Sequence, residues 1–298
     1  MPDTVHTPVL LDEVLALLEP HPGAIVVDGT LGSGGHARQL AARVLPGGFV
    51  IGLDRDPVAV AAAEQRLSAL PVRAIHADYR DLARVLADLQ LAAVDAVLLD
   101  LGLSSDQLSD ATRGFSFDTN GPLDLRFDPQ EGEPAWRLLE RLRADELADL
   151  IFHGSDERFS RRIARQIVKT RQAQPIRTAR QLAEAVRRCV PRSRGHRIDP
   201  ATRTFQALRI AVNDELGALD AALAQVPDCL RPGGRFAVIS FHSLEDRRVK
   251  LAFRTDPRLR PLTKKPLRPG DSELAHNPRS RSARLRAAVR VADVPPCE

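Results

Sequence analysis

The sequence predicts an α/β fold with a parallel sheet, interrupted by an inserted all-helical domain. Strand-like apolar runs alternate with helical patterns over the first hundred residues, and a glycine-rich turn, residues 29–35, follows the first strand. Alternation at this pitch is typical of right-handed βαβ units. The alternation stops after Asp100, gives way to helical patterns alone, and resumes near Leu216.

The apolar spacing predicts where each element lies. Strands are expected at 24–28, 49–54, 72–76, 94–100 and 236–240, with a last edge strand at 283–291. Before Asp100, a first helix is expected to begin at Pro8, with Thr7 as its N-cap. Three more are expected at 35–44, 57–70 and 80–89. Those of the insert are expected at 136–152, 159–172, 178–190 and 202–217.

Acidic residues end the first four predicted strands: Asp28, Asp54 with Asp56, Asp78 and Asp100. Ligands of parallel sheets bind at this carboxyl edge, and an acid near position 54 is placed to accept hydrogen bonds from ribose hydroxyls. The spacing of Gly32, Gly34 and Ala37 also fits a dinucleotide-binding turn. An acidic rim repels phosphate groups, however, so it favours a cofactor with a sulfonium or amino group, S-adenosylmethionine rather than NADP.

Charge and cysteine content limit the class of protein. The 298 residues carry a formal net charge of +4, and the stretch 247–298 holds 14 Lys/Arg against 5 Asp/Glu. Such an excess favours a polyanionic partner, although a solvated surface explains it too. The insert's arginines between Arg158 and Arg197 leave the same two interpretations open. The three cysteines, Cys189, Cys229 and Cys297, are too far apart in sequence for a C-x-x-C metal-binding motif. No apolar run is long enough for a membrane span, so we expect a cytoplasmic protein.

Ten sequence motifs point to one family when they are taken together. They are His6-Thr7-Pro8-Val9, Asp28-Gly29-Thr30, Gly34-Gly35-His36, Asp54-Arg55-Asp56-Pro57 and the stretches 100–108, 113–117, 121–124, 202–210, 213–216 and 240–247. In this order they resemble the ribosomal small-subunit RNA methyltransferase H family, whose members methylate N4 of a cytidine in the decoding centre of 16S rRNA.

The resemblance implies a Rossmann-like, S-adenosylmethionine-dependent methyltransferase. Its catalytic domain would comprise residues 1–107 and 210–298, with the helical domain, 108–209, inserted between them. The partner implied is 16S rRNA or the small ribosomal subunit, without a metal or a membrane. The oligomeric state stays open, a homodimer included. With 4% aromatic residues, we expect RNA contacts mainly to phosphates, from the stretch 254–286 and the insert.

The resemblance also implies the cofactor-binding residues: Gly34, Gly35, His36, Asp54, Tyr79, Asp100 and Gln107. At the adenine, stacking on Tyr79 and a hydrogen bond to Asp78 remain alternatives. The catalytic residues stay unknown, with His242, Ser104 and Ser240 as candidates by position. Two other functions remain to be separated from this one, a nonenzymatic RNA-binding assembly factor and an NAD-linked oxidoreductase.

Overall fold

The structure is a computed structural model that describes residues 8–117, 120–190 and 199–292. The chain divides into two compact units, the first formed by 1–102 with 217–298 and the second by 103–216. The predicted domain limits, at 107/108 and 209/210, lie close to this division and stay predictions. Several residues used in the sequence analysis lie outside the described ranges: His6, Thr7, Arg192, Arg194, Arg197 and Cys297.

The first unit is built around one seven-stranded sheet. Its strands are β1 (Ile25–Asp28), β2 (Phe49–Asp54), β3 (Val72–His76), β4 (Val94–Asp100), β5 (Leu230–Ser240), β6 (Leu259–Pro261) and β7 (Arg284–Arg290). The order is β3-β2-β1-β4-β5-β7-β6; the first five strands are parallel, and β7 is antiparallel to both of its neighbours.

Thirteen helices are found among the described residues. They are α1 (Leu11–Leu18), α2 (Gly35–Val44), α3 (Pro57–Arg66), α4 (Leu82–Asp88), α5 (Ser105–Ser109), α6 (Ala135–Arg141), α7 (Ala144–Ser155), α8 (Ser160–Ala173), α9 (Ala179–Arg187), α10 (Thr202–Asn213), α11 (Glu215–Cys229), α12 (Ser243–Thr255) and α13 (Asp271–His276). None of them is long and apolar enough to cross a membrane.

Apolar side chains cover both faces of the sheet, which is why its central strands are nearly continuous apolar runs. Neighbouring residues of one strand point to opposite faces. Thus Val26 belongs to one buried cluster and Val27 to the other, and Leu98 and Leu99 are divided in the same way. The parallel strands are therefore fixed in register, and their carboxyl ends form a common edge.

Several predicted element boundaries are confirmed and others are wrong. The strands at 49–54, 72–76 and 94–100 and the helix at 35–44 match the structure. Helix α1 begins at Leu11 rather than Pro8, because Leu10 has a left-handed φ of 52°. The strand predicted at the sheet edge, β7, lies between β5 and β6, so the short strand β6 forms that edge.

The insert also differs from its predicted helices in two places. The helix expected at 136–152 is two helices, because Leu142 is extended and the Arg143 N–H donates to Glu146 (2.8 Å), which caps α7. The helix expected at 202–217 ends at Asn213, since Asp214 takes a φ of 48°.

Asn213 shows what the 213–216 motif does within the second unit. Its buried side chain donates to the carbonyls of Leu125 (2.7 Å) and Arg209 (2.9 Å) and accepts from the Phe127 N–H (2.7 Å). Arg209 in turn makes a bidentate ion pair with Glu215. The motif therefore fastens α10 to the loop before α6.

Candidate active site

The turn after β1 is held by its own polar groups. Oδ1 of Asp28 accepts from the Thr30 N–H (3.2 Å), and the Thr30 hydroxyl accepts from the Asp100 N–H (2.6 Å), which ties the turn to β4. Gly34 precedes α2 with a φ of 82°, and no side chain caps that helix. The first turn of α2 therefore presents backbone N–H groups at the carboxyl edge of the sheet.

Asp54, at the end of β2, organises the same turn from the other side. Its Oδ2 accepts from the Gly32 N–H (2.7 Å) and its Oδ1 from the Asp56 N–H (2.9 Å). Burial raises the pKa of Asp54 to about 6 and that of Asp28 to about 7. A carboxylate has about four lone-pair positions, so Asp54 can still accept from a ligand hydroxyl.

Asp100 is the acid at this edge whose hydrogen bonding is incomplete. Its Oδ1 is buried without a hydrogen-bond partner among the described residues, while 21% of the side chain remains exposed. Desolvation, with the nearby carboxyls of Asp28, Glu245 and Glu273, raises its pKa well above the usual value. Nδ1 of His36 lies 3.7 Å from Oδ2 of Asp100, and Nε2 of the same ring lies 3.0 Å from the Val9 carbonyl oxygen.

The two alternatives for an adenine contact have different surroundings. Asp78 caps the turn after β3 by accepting from the Arg80 N–H (2.9 Å), and it pairs with the guanidinium groups of Arg55 and Arg80. Tyr79 packs partly buried against one face of the sheet, next to Gly29. Asp78 is thus already engaged by two cations, which leaves the Tyr79 ring as the stronger candidate.

His242 follows the end of β5 and is fixed by Glu245. Its Nδ1 accepts from the Glu245 N–H (3.4 Å). Its Nε2 lies 3.0 Å from Oε1 of the buried Glu245 side chain but makes no hydrogen bond with the described residues. Oε2 of Glu245 accepts from the Phe241 N–H (2.8 Å). The buried carboxylate therefore sets the orientation of the ring at the rim. Glu245 is not among the site residues predicted from the sequence, although its spacing from His242 matches a capping box.

Ser240 is bound into the sheet. Its hydroxyl donates to the Arg284 carbonyl on β7 (3.3 Å), and 1% of the residue is exposed. Because β5 pairs with β4 so that Ile239 lies opposite Asp100, both Ser240 and His242 lie near the end of β4, as predicted. Their catalytic roles stay predictions, and the buried hydroxyl makes Ser240 the poorer candidate.

The remaining two predicted residues belong to the second unit. The Ser104 hydroxyl accepts from the Gln107 N–H (3.1 Å), and the Gln107 side-chain oxygen accepts from the Ser104 N–H (3.1 Å). This reciprocal pair starts α5. The predicted roles of both residues in binding or catalysis stay predictions.

Some arginines of the insert make contacts within the second unit, and others are exposed on its surface. Arg171 donates to the Leu139 carbonyl, Arg177 stacks on Trp136, and Arg187 pairs with Asp199. Others are exposed: Arg158, Arg161, Arg162 and Arg165. Among the residues that the structure describes, no group of His, Cys, Asp or Glu side chains is suited to hold a metal ion.

A family model described as the MraW methylase family matches residues 3–291. The chain is similar to two proteins named Ribosomal RNA small subunit methyltransferase H. The one from Thermomicrobium roseum is 50% identical over 97% of this chain and 94% of the relative. The one from Rhodopirellula baltica is 51% identical over 97% of this chain and 92% of the relative. The solved rRNA methylase of Streptococcus thermophilus has a TM-score of 0.46 and 13% identity, over 96% of this chain and 99% of that one. Because the family model spans nearly the whole sequence, the chain belongs to the MraW methylase family.

Proposed function

We propose that this protein transfers a methyl group from S-adenosylmethionine to the N4 amino group of a cytidine in the decoding centre of 16S rRNA. Membership of a methylase family supports the methyl transfer, and the names of the relatives support small-subunit rRNA as the substrate. The motifs that resemble cytosine-N4 methyltransferases support the atom and the position. The reaction would take place in the cytoplasm, where the small subunit is made.

The residues at the edge of the sheet fit S-adenosylmethionine. The buried Oδ1 of Asp100 lacks a partner among the residues described, so the ammonium group of the ligand could donate a hydrogen bond to it, and the sulfonium charge would be attracted to the same carboxylate. The acids Asp28 and Asp54 make the same edge unfavourable for a diphosphate, which argues against an NAD-linked enzyme. The single observation that carries the cofactor assignment is this unsatisfied carboxylate oxygen beside the first turn of α2.

S-adenosylmethionine supplies an activated methyl group on a positively charged sulfur, so no metal or covalent nucleophile is needed. The chain must supply positioning, because the cytosine amino group donates its lone pair to the ring and is a poor nucleophile. We assign the placement of the amine to the rim near His242, whose ring is held by Glu245. The neighbouring Asp100 carboxyl, in its deprotonated form, would hold the positive end of the cofactor.

The proposal is tested by the modified nucleoside itself. The protein is incubated with labelled S-adenosylmethionine and small-subunit particles lacking the modification, and the RNA is digested to nucleosides. We expect label in N4-methylated cytidine and its loss in Asp100→Asn. The control is Asp95→Asn, at the other end of β4, where Asp95 pairs with Arg231. Label in another nucleoside would refute the assignment to N4 of cytidine, and no label with folded protein would favour the assembly factor.

A further inference from the structure

Helix α12 starts directly after His242 and carries a stripe of exposed side chains. Arg247, Lys250, Leu251 and Arg254 are all exposed. Residues three, four and seven apart lie on one side of an α-helix, so these four form a single row. We call Arg247, Lys250 and Arg254 the α12 stripe. At 1.5 Å per residue it is about 10 Å long, and it begins one turn after the rim residue His242.

The positive charge of the α12 stripe is not neutralised by any carboxylate among the residues that the structure describes. Across the described ranges, no carboxylate lies within ion-pairing distance of these three side chains. By contrast, Arg248, next to Arg247 on another side of the helix, pairs with Asp220 (3.1 Å). The acids of the helix are used internally, Glu245 by His242 and Asp246 by Arg284 and Arg286. The outward side of α12 is therefore cationic only.

The row also contains an exposed apolar side chain, which a surface that contacts only water does not need. Leu251 is 62% exposed, the second most exposed of the large apolar side chains described, and it lies between Lys250 and Arg254. Cations spaced along a helix, with an apolar group among them, suit a nucleic-acid strand, because phosphates bind the cations and a ribose or base covers the apolar group.

We propose that the α12 stripe binds the phosphate backbone of the RNA substrate and guides the strand toward His242. This inference rests on the proposed function only in taking RNA as the substrate. It adds the contact surface and the direction in which the strand approaches the site. Arg247 and Lys250 precede the stretch 254–286, for which phosphate contacts are predicted from the sequence, and Arg254 is its first residue.

The test compares two triple variants that remove the same charge. In R247Q/K250Q/R254Q the stripe is neutral, whereas R43Q/R73Q/R84Q neutralises three exposed arginines of the first unit that lie outside α12. Binding of a labelled fragment of the small-subunit decoding region is measured by fluorescence anisotropy over a range of salt concentrations. Affinity for S-adenosylhomocysteine is measured in parallel and should be unchanged, since neither triple touches the cofactor edge.

We expect the stripe variant to bind the RNA at least about tenfold more weakly at ~0.1 M salt, and its slope of log affinity against log salt to fall by about 2, or roughly 0.7 per lost phosphate contact on a single strand. The control triple should stay within about twofold of wild type. Equal losses in both triples, or no loss in the stripe variant, would overturn the proposal.

The binding measurement, taken together with the methylation assay, separates this inference from the proposed function. If the wild type binds RNA through the stripe but forms no N4-methylated cytidine, the contact surface stands and the reaction assignment fails. If methylation occurs and the stripe variant binds normally, only the inference fails. A wild type that does not bind the fragment at all would overturn the inference.

Discussion

His36 bridges two parts of the first unit that are distant in sequence, since its Nε2 faces the Val9 carbonyl oxygen at 3.0 Å and its Nδ1 faces Oδ2 of Asp100 at 3.7 Å. The carbonyl can only accept, so Nε2 carries a proton. Nδ1 is then protonated only when the ring is cationic. The imidazole therefore connects the backbone before α1 to the carboxyl at the end of β4, and it forms an ion pair with Asp100 only when the ring is cationic.

Asp100→Asn should lower the preference for S-adenosylmethionine over S-adenosylhomocysteine, which lacks the sulfonium charge. The pKa of Asp100 is raised, so a cationic ligand binds best once the carboxyl has lost its proton. In the wild type the preference should grow as the pH rises and the carboxyl loses its proton, and in the variant it should be small and independent of pH. Calorimetry with both ligands measures it. A wild-type preference independent of pH would contradict the prediction.

Glu245→Gln should lower turnover by roughly tenfold to a hundredfold at saturating RNA, because the ring of His242 loses its charged partner. Affinity for S-adenosylhomocysteine should change little. Asp246→Asn is the matched control, since Asp246 is the next residue but pairs with Arg286 (2.7 Å) rather than His242. His242→Ala should give a similar loss, and the double variant should lose no more than the larger single loss. Additive losses would show that the two residues act separately.

Asp28 should make the protein less stable as pH rises from about 4 to about 7. Its folded-state pKa, about 7, exceeds the usual aspartate value of 3.8, so the folded state holds a proton that the unfolded state releases across this range. The free energy of unfolding should therefore fall by up to about 4 kcal/mol, with Asp54 acting in the same direction up to pH about 6.

Urea unfolding of Asp28→Asn across this pH range tests the assignment. The variant should show a flatter dependence than the wild type, whereas Asp88→Asn, at an exposed position, should not. An unchanged slope in Asp28→Asn would show that other groups control the pH dependence.

Gly34→Ala should weaken the fold as well as cofactor binding. An added Cβ would lie 2.6 Å from Cδ1 of Leu67, and the φ of +82° is strained for alanine. Gly23→Ala is the matched control, because Gly23 has a φ of +83° and a Cβ added there would meet no atom within 4 Å. Thermal unfolding should show a loss of about 1 to 3 kcal/mol in the control and more in Gly34→Ala.

The double variant Gly34→Ala/Leu67→Ala identifies the source of that extra loss. If steric overlap causes it, the effect of the Gly34 substitution should shrink toward that of the control when Leu67 is already alanine. Equal losses in Gly23→Ala and Gly34→Ala would mean that Leu67 moves aside without cost.

The central strands and the edge that carries the acids could be predicted from sequence because β1, β2 and β4 are apolar runs that stop at a carboxyl. Asp54 and Asp100 therefore marked both a boundary and a candidate site. Pairing order was harder to predict, because β7 resembles an edge strand until the three residues of β6 are found beside it.

The contacts of the site residues could be predicted only in part. Ser240 ends β5 and His242 lies two residues beyond it, yet the Ser240 hydroxyl is bound to a neighbouring strand, whereas the His242 ring lies beside a buried carboxyl. The contact of His242 with Glu245 follows from spacing within one motif, but that of Ser240 depends on Arg284, far along the chain.

The position of β7 within the sheet has a consequence for biosynthesis. Strand β5 pairs with β4 on one side and with β7 on the other. It can pair with β7 only when residues 284–290 have left the ribosome, after the second unit and the segment between α12 and β7 have been synthesised. Until then the β5 edge is open, and Ser240 and Asp246 lack their partners on β7. A nascent chain would thus complete the His242 side of the candidate site last, so incompletely translated copies would lack a finished rim.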